Sequence, residues 1–386
     1  MSTAGRALKS RRIRTGVQIA FFLYVLLITL SHTLKARGIS LFEGAADLHA
    51  LCPFGAVETL GRLITQGSFI PKTHPSNLWV FAAVALSTAL FGPLFCSWLC
   101  PLGAVQEWVG KLGKRLLGKK YNRLVPPRLD RALGWLRYVV LAGIVIQTTR
   151  LLTLAFSRVD PYYALFHVWT GQALPSALTV LALVLIASLF VERPWCRWFC
   201  PLGAVLGLIQ LVSPWKIRRR ENCTGCGLAS RRCPMNVDVC GANAVLDTRC
   251  NRCGECLAAC PAAGCLDHAL PGKIKLSLKP RLLTALLAVV VFAAPIAAAK
   301  VGGVFLSSAS SRPVAAIEAL TPDQISGALS LEELAAGFDT SLEALKEFLG
   351  IPSELPGSTR LRDIEDTVET LTTPLIRERM RSFSSS

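Results

Sequence analysis

The chain has 386 residues, of which 52% are hydrophobic and only 17% are charged, and it carries a formal net charge of +17. The apolar residues fall in blocks of about 20 residues, the length of a membrane-spanning helix, so the composition is typical of a membrane protein rather than a soluble one. No nucleic-acid recognition module accompanies the positive charge, which argues against a nucleic-acid partner and points instead to the lipid bilayer.

Five apolar blocks predict a mainly α, polytopic membrane protein with about five spans. They lie at about 15–34, 78–99, 135–156, 174–192 and 281–305. Basic residues precede the first block, as in a signal peptide. Residues 31–35 offer no small-residue cleavage site, so we expect this segment to be retained.

The lysines and arginines predict the orientation of the chain. They cluster at 6–14, 111–131, 216–220 and 273–281. With five spans, all four clusters fall on the cytoplasmic side if the N-terminus is inside. This pattern predicts a multi-pass protein of a bacterial inner membrane, with an extracytoplasmic C-terminus.

Two stretches of the chain are near copies, FCSWLCPLGAV at 95–105 and WCRWFCPLGAV at 195–205. Residues four apart share one face of a helix, so each copy places two sulfurs together. Proline disfavours helix at the residue before it, so we expect Cys100 and Cys200 to end their helices. The duplication predicts a metal or redox centre held by Cys96, Cys100, Cys196 and Cys200. The alternative is a repeated packing motif with buried free thiols.

A partial third copy begins at Cys52, where Leu48 replaces the first cysteine. His49 lies three residues before Cys52 and close to Glu58 in sequence. This loop predicts either a quinone or proton-handling site, or an interfacial histidine with ordinary hydrogen bonds.

Nine of the 14 cysteines lie in the short segment 216–272, which precedes the fifth block. Cys250, Cys253, Cys256 and Cys260 form a CxxCxxCxxxCP motif, the spacing of bacterial ferredoxins that bind two 4Fe–4S clusters. Zinc is the alternative, since CxxC pairs also bind zinc. Disulfides are disfavoured on the reducing cytoplasmic side.

The partner motif contains Cys223, Cys226 and Cys233, with Ala229 at the position of the missing cysteine. In two-cluster ferredoxins the fourth cysteine of each motif binds the other cluster. The first cluster is therefore predicted on Cys233, Cys250, Cys253 and Cys256. The second is predicted on Cys223, Cys226 and Cys260, with Cys240 as the nearest fourth ligand and Cys265 as a weaker one. A 3Fe–4S cluster or an open iron remains the alternative for this second site.

The tail at 306–386 has no cysteine and no histidine. Ser330–Glu333 and Thr340–Glu343 fit the capping-box pattern at helix starts, and Gly350 is a natural helix end. The tail predicts a small extracytoplasmic helical domain that docks a partner, or alternatively a cap that stabilises the last span.

Paired CxxxCP motifs followed by a two-cluster ferredoxin segment resemble the NosR/NapH-type membrane polyferredoxins, a family that includes the oxidase assembly protein CcoG. The resemblance covers about 10–305. It implies electron transfer between a cytoplasmic or quinone-pool donor and a membrane or extracytoplasmic reductase, as a subunit rather than a stand-alone enzyme. A copper or metal-site assembly factor using the paired thiols and a scaffold stabilised by clusters are the alternatives.

The sequence therefore divides into four predicted parts. These are a membrane domain at 1–215, a cytoplasmic ferredoxin-like segment at 216–272, a fifth transmembrane helix at 273–305 and an extracytoplasmic helical domain at 306–386.

Overall fold

The structure, a computed structural model, describes residues 3–35, 53–57, 60, 76–151, 155–168, 173–220, 223–260, 265–269, 289–290, 294, 297, 325, 329–352, 355–357, 359, 361, 364, 371 and 373–383. These residues are mainly helical, as the sequence predicts. His49, Cys52 and most of the predicted fifth block lie outside the described residues, so the predictions for them stay predictions.

Helix α1, Thr3–Lys35, contains the first predicted apolar block. Its segment Arg11–Ser31 is long and apolar enough to cross a membrane, and no other described helix passes that test. The predicted count of five spans is therefore not reproduced within the described residues. Two shorter apolar helices lie at Asn77–Phe91 and Pro175–Ser188.

The predicted continuous span at 78–99 is wrong, because the chain breaks in its middle. Helix α2, Ser76–Phe91, ends before Gly92, whose φ of +89° is a left-handed conformation that glycine tolerates. The side chain of Arg252 packs there so closely that a Cβ on Gly92 would lie 2.6 Å from its Cγ. A π-helical turn, Phe95–Leu99, follows, so the first cysteine pair lies on a separate short element.

The remaining helices within residues 1–215 are shorter than the predicted spans. They are α3, Pro101–Leu117; α4, Pro127–Leu133; α5, Leu136–Leu151; α6, Pro161–His167; α7, Pro175–Ser188; α8, Pro194–Trp198; and α9, Pro201–Ile209. Short 3₁₀ helices lie at Gly118–Lys120 and Ala155–Arg158. Helix α1 packs on the π-helical turn and on α3, α7 packs on α3 and α6, and α9 packs on α2 and α5.

The ferredoxin-like segment is closed at its ends by a two-stranded sheet. Strand β1, Lys216–Arg219, runs antiparallel to β2, Leu266–Ala269, with Lys216 opposite Ala269. Helices α10, Leu228–Arg231, and α11, Glu255–Ala259, lie between the strands in sequence and pack together. Helix α11 also packs on α1, which joins the segment to the N-terminal helices.

The C-terminal region contains α12, Leu331–Gly337; α13, Leu342–Leu349; and α14, Thr373–Phe383. The predicted capping box at Ser330 and Glu333 is confirmed, with both reciprocal hydrogen bonds present. The second predicted box is wrong, because Ser341 rather than Thr340 caps α13, and its side chain accepts from the backbone N–H of Ala344, whose side chain cannot return the bond. Leu334, Leu345, Leu349 and Met380 are fully buried, so these helices share one core.

Candidate metal centres

The four cysteines of the two copies lie at the starts of α3 and α9 and on the short helical turns that precede them. Cys100 precedes Pro101 at the start of α3, and Cys200 precedes Pro201 at the start of α9, as the proline positions predict. Burial raises the pKa of the Cys200 thiol, and the neighbouring Cys196, Cys96 and Cys100 thiols raise it further. We call these four cysteines the paired-cysteine site.

Two N–H groups donate hydrogen bonds to sulfurs of the paired-cysteine site. The Gly203 backbone N–H donates to Cys200 Sγ at 3.3 Å. Gln106 Nε2 donates to Cys196 Sγ at 3.4 Å, and Gln106 Oε1 accepts from the backbone N–H of Trp195 at 3.1 Å. Gln106 follows the first copy but binds the second, so its side chain holds the two copies together.

The partial third copy contributes packing within the described residues. Phe54 is buried, and its ring lies 5.2 Å from that of Phe156, edge to face. Phe54 therefore belongs to the apolar core beside the second copy.

Four cysteines of the ferredoxin-like segment form the first predicted cluster set. Burial raises the pKa of the Cys256 thiol, and Cys253, Cys233 and Cys250 raise it further. These are the four residues that the ligand-exchange spacing groups together. The backbone N–H of Val237 also donates to Cys233 Sγ at 3.4 Å, a contact of the kind that tunes metal-bound sulfur.

The second predicted set is less regular. Arg219 donates from NH1 to the Cys240 carbonyl at 3.2 Å and from NH2 to the Cys223 carbonyl at 3.3 Å, so it ties together two loops that carry predicted ligands. Cys260 and Cys265 form a disulfide across a Cα–Cα distance of 6.7 Å. The prediction that disulfides are disfavoured in this segment is therefore wrong for this pair. The pairing brings the sulfur of Cys265 next to Cys260, a predicted ligand.

The core of the ferredoxin-like segment fits iron–sulfur clusters. Of its twelve buried core residues, five are cysteines, and Cys240 and Cys260 pack against them. A small domain with so few aliphatic and aromatic core side chains needs another source of stability, and bound metal is a usual one. Within the described parts of the chain, no three His, Cys, Asp or Glu side chains are arranged as ligands of one metal ion.

A buried carboxylate between two arginines connects the paired-cysteine site to the first cluster set. Glu107 of α3 binds Arg14 NH2 with Oε1 and Arg193 NH2 with Oε2, both at 2.5 Å. Arg193 NH1 donates to the Cys96 carbonyl at 2.8 Å, and Arg14 NH1 donates to the Cys253 carbonyl at 3.2 Å. We call these three residues the Glu107 network.

The charge state of Glu107 follows from its surroundings. Burial acts to raise the pKa of this carboxyl, but the positive charges of Arg193 and Arg14 outweigh burial and lower the pKa to about 2. Gln18 Nε2 also donates to Glu107 Oε2 at 3.3 Å. Glu107 is therefore ionised at every pH that a cell experiences.

A second buried carboxylate repeats this arrangement on the other copy. Asp130 of α4 is fully buried and forms ion pairs with Arg197 and with Arg249 NH1, the latter at 2.9 Å. Trp198 Nε1 donates to Asp130 Oδ1 at 2.8 Å, and Asn236 Nδ2 donates to Oδ2 at 3.2 Å. Since Arg197 lies between Cys196 and Cys200, and Arg249 precedes Cys250, this Asp130 network forms a second bridge.

Sequence reasoning missed both networks. One signal was present: the first copy continues with Gln106 and Glu107, where the second continues with Leu206 and Gly207. Glu107 is charged, whereas the equivalent position in the second copy is Gly207. A charge in only one of two repeated segments indicates a specific partner. Its partners could not be read from the sequence.

The comparisons with known proteins place the two copies in one domain family. A family described as "4Fe-4S binding domain" matches residues 73–120 and 173–220, which contain the two cysteine pairs. The protein MJ0750 of Methanocaldococcus jannaschii is 33% identical over 211 residues, covering 54% of this chain and 83% of its own. The ferredoxin-type protein NapH of Escherichia coli is 27% identical over 219 residues, covering 54% and 74%.

YccM of Escherichia coli is 32% identical over 228 residues, which cover 56% of this chain and 62% of YccM. No solved structure matches the chain. The helical fold, the duplicated cysteine pairs and these matches define a ferredoxin-type iron–sulfur protein. The chain belongs to the NosR/NapH-type polyferredoxin family.

Proposed function

We propose that this chain is a membrane-bound electron-transfer protein that relays electrons between a cytoplasmic or quinone-pool donor and a membrane or extracytoplasmic redox partner. The Glu107 network carries the proposal, because it links the backbone of Cys253 to the backbone of Cys96 through three buried side chains. A continuous chain of buried hydrogen bonds and ion pairs therefore connects the first cluster set to the paired-cysteine site.

We assign different sets of cysteines to different metal centres. Cys233, Cys250, Cys253 and Cys256 would hold one 4Fe–4S cluster. Cys223, Cys226, Cys260 and Cys240 would hold the second, with Cys265 as the alternative fourth ligand, once the disulfide between Cys260 and Cys265 is reduced to two thiols. Cys96, Cys100, Cys196 and Cys200 would hold a further metal or iron–sulfur centre, which the match of a 4Fe–4S domain to both copies supports. A 4Fe–4S cluster supplies one-electron transfer when bound.

Other side chains adjust the environment of the sulfurs. Hydrogen bonds from Gly203, Val237 and Gln106 stabilise negative charge on the sulfurs that accept them. Arg14 and Arg193 place positive charge near Cys253 while Glu107 neutralises part of it. Burial of Arg193, Arg197 and Glu107 excludes water from the space between the candidate centres.

The membrane location is supported by exposed apolar side chains on four helices. On α1 they follow helical spacing along one face; on α2, α5 and α7 further large apolar side chains are exposed. They are Ile19, Leu23, Leu27, Leu30, Trp79, Leu86, Leu90, Val139, Ile146, Leu183 and Ile186. Apolar surface of this extent is costly in water, so we propose that it faces lipid, with five spans and the four-part division predicted from the sequence.

A fusion experiment tests the proposed topology. Because the basic clusters predict a cytoplasmic N-terminus and an odd number of spans, alkaline phosphatase fused after Ser386 should be active and a fluorescent protein fused there should stay dark. The matched control carries the same reporters after Lys120, where we expect the opposite result. Cytoplasmic reporter activity after Ser386 would contradict the proposed side of the tail.

Redox titration of the purified protein tests the function itself. We expect reversible one-electron signals from the clusters, and we expect a quinol analogue or a cytoplasmic donor to reduce them. Stoichiometric copper on the paired cysteines, with no reversible iron–sulfur signal, would instead identify an assembly factor.

A further inference from the structure

A cavity of about 490 Å³ opens beside the first cluster set. Its walls come from α1, α3, the 118–123 connection and the start of the ferredoxin-like segment, and it reaches Cys233. This volume lies within the range of small-molecule sites, roughly 300–1,000 Å³. The cavity is therefore large enough for a ligand bigger than a single inorganic ion.

The walls of the cavity are strongly basic. Eight arginines and lysines line it against three glutamates. Two of those glutamates are already paired, Glu107 with Arg14 and Arg193, and Glu255 with Arg11 and Arg14. Within the described residues, no ion pair involves the lining side chains Lys114, Lys119, Arg123, Arg231 or Arg232.

Several cations that share one concave surface repel each other, and a bound polyanion relieves that repulsion. Arginine and lysine side chains bind phosphate oxygens by charge-assisted hydrogen bonds. The distribution of these cations over α3, the 118–123 connection and α10 allows contact from more than one side. A ligand with two phosphate groups matches both the volume and the excess charge.

We propose that this cavity binds a ligand bearing two phosphate groups. Two sources share that chemistry. A diphosphate-containing soluble molecule would enter from the aqueous side. The headgroup of cardiolipin would enter from the bilayer, because the candidate membrane span begins at Arg11, which also lines the cavity. Basic pockets at the cytoplasmic ends of membrane helices are known to bind such headgroups.

The test uses the full-length protein with its clusters, purified in neutral detergent. Binding of inorganic pyrophosphate is measured by calorimetry, and binding of cardiolipin is measured against phosphatidylcholine in nanodiscs by native mass spectrometry. The variant Lys114→Gln with Lys119→Gln removes two cavity cations. The matched control, Arg115→Gln with Lys120→Gln, removes the same charge from the neighbouring exposed positions outside the cavity.

We expect the cavity variant to weaken binding of one probe by at least about tenfold, since it removes two charge-assisted contacts, and the control to change it little. A response to pyrophosphate identifies a soluble ligand, and a response to cardiolipin alone identifies a lipid. Failure of the unaltered protein to bind either probe, or equal loss in both variants, would overturn the proposal. Cluster absorbance checks that each variant is folded.

Discussion

Replacing Glu107 with glutamine is expected to destabilise the protein by about 3–5 kcal/mol, the usual effect of removing one partner of a buried ion pair. The change leaves Arg14 and Arg193 facing each other, and these side chains are only 7% and 1% exposed. The amide keeps the shape of the site and part of its hydrogen bonding, so the loss reports charge rather than volume. Denaturant unfolding in detergent, followed by cluster absorbance, measures it.

Glu343→Gln is the matched control, because Glu343 is exposed on α13, and we expect a change below about 0.5 kcal/mol. The folded state lowers the pKa of Glu107. The contribution of Glu107 to the free energy of unfolding is therefore complete above the pKa of a free glutamate, roughly 4.3. This contribution is lost as the pH falls toward 2. A glutamine variant as stable as the unaltered protein at pH 7 would show that the network contributes nothing to folding.

Replacing Cys253 with serine is expected to remove one cluster from the ferredoxin-like segment and leave the other. Cys253 influences the Cys256 and Cys233 thiols directly, so its loss breaks the first set while Cys223 and Cys226 stay intact. Iron in the ferredoxin-like segment should fall from about eight atoms to about four. Iron and acid-labile sulfide analysis, with electron paramagnetic resonance, distinguishes this result from partial loss of both.

The companion variant Cys200→Ser should impair electron transfer to the partner while the two ferredoxin signals remain. Asn243→Ala is a control for general disturbance in the ferredoxin-like segment, because Asn243 is exposed there and carries no sulfur. Zinc without labile sulfide in the purified protein would contradict the cluster assignment. Loss of the ferredoxin signals in Cys200→Ser would show that the paired cysteines act on folding instead.

The sequence predicts cysteine groups and helix starts from local information. The spacing rule groups Cys233 with Cys250, Cys253 and Cys256, and the charge coupling of these thiols agrees with it. Proline after Cys100 and Cys200 predicted correctly where two helices begin. Each of these predictions depends on residues only a few positions apart, where backbone geometry decides the outcome.

The predictions that failed needed contacts between distant parts of the chain. The break at Gly92 could not be foreseen, because the side chain that packs there, Arg252, lies 160 positions further along the sequence. The two carboxylates are similar cases: Glu107 meets Arg14 across 93 positions, and Asp130 meets Arg249 across 119. Apolar periodicity carries no information about which charges pair inside a folded chain.

The long reach of Arg14 has a consequence for how the molecule is made. This residue leaves the ribosome with the first helix, yet its contacts with Cys253 and Glu255 involve residues about 240 positions later. Until the ferredoxin-like segment has folded, the guanidinium of Arg14 lacks two of its three partners, and a bundle that buried it would hold an incompletely compensated charge. Since a cluster that binds only the folded segment stabilises it by mass action, iron supply and closure of the helices around Arg14 are thermodynamically linked steps of biogenesis.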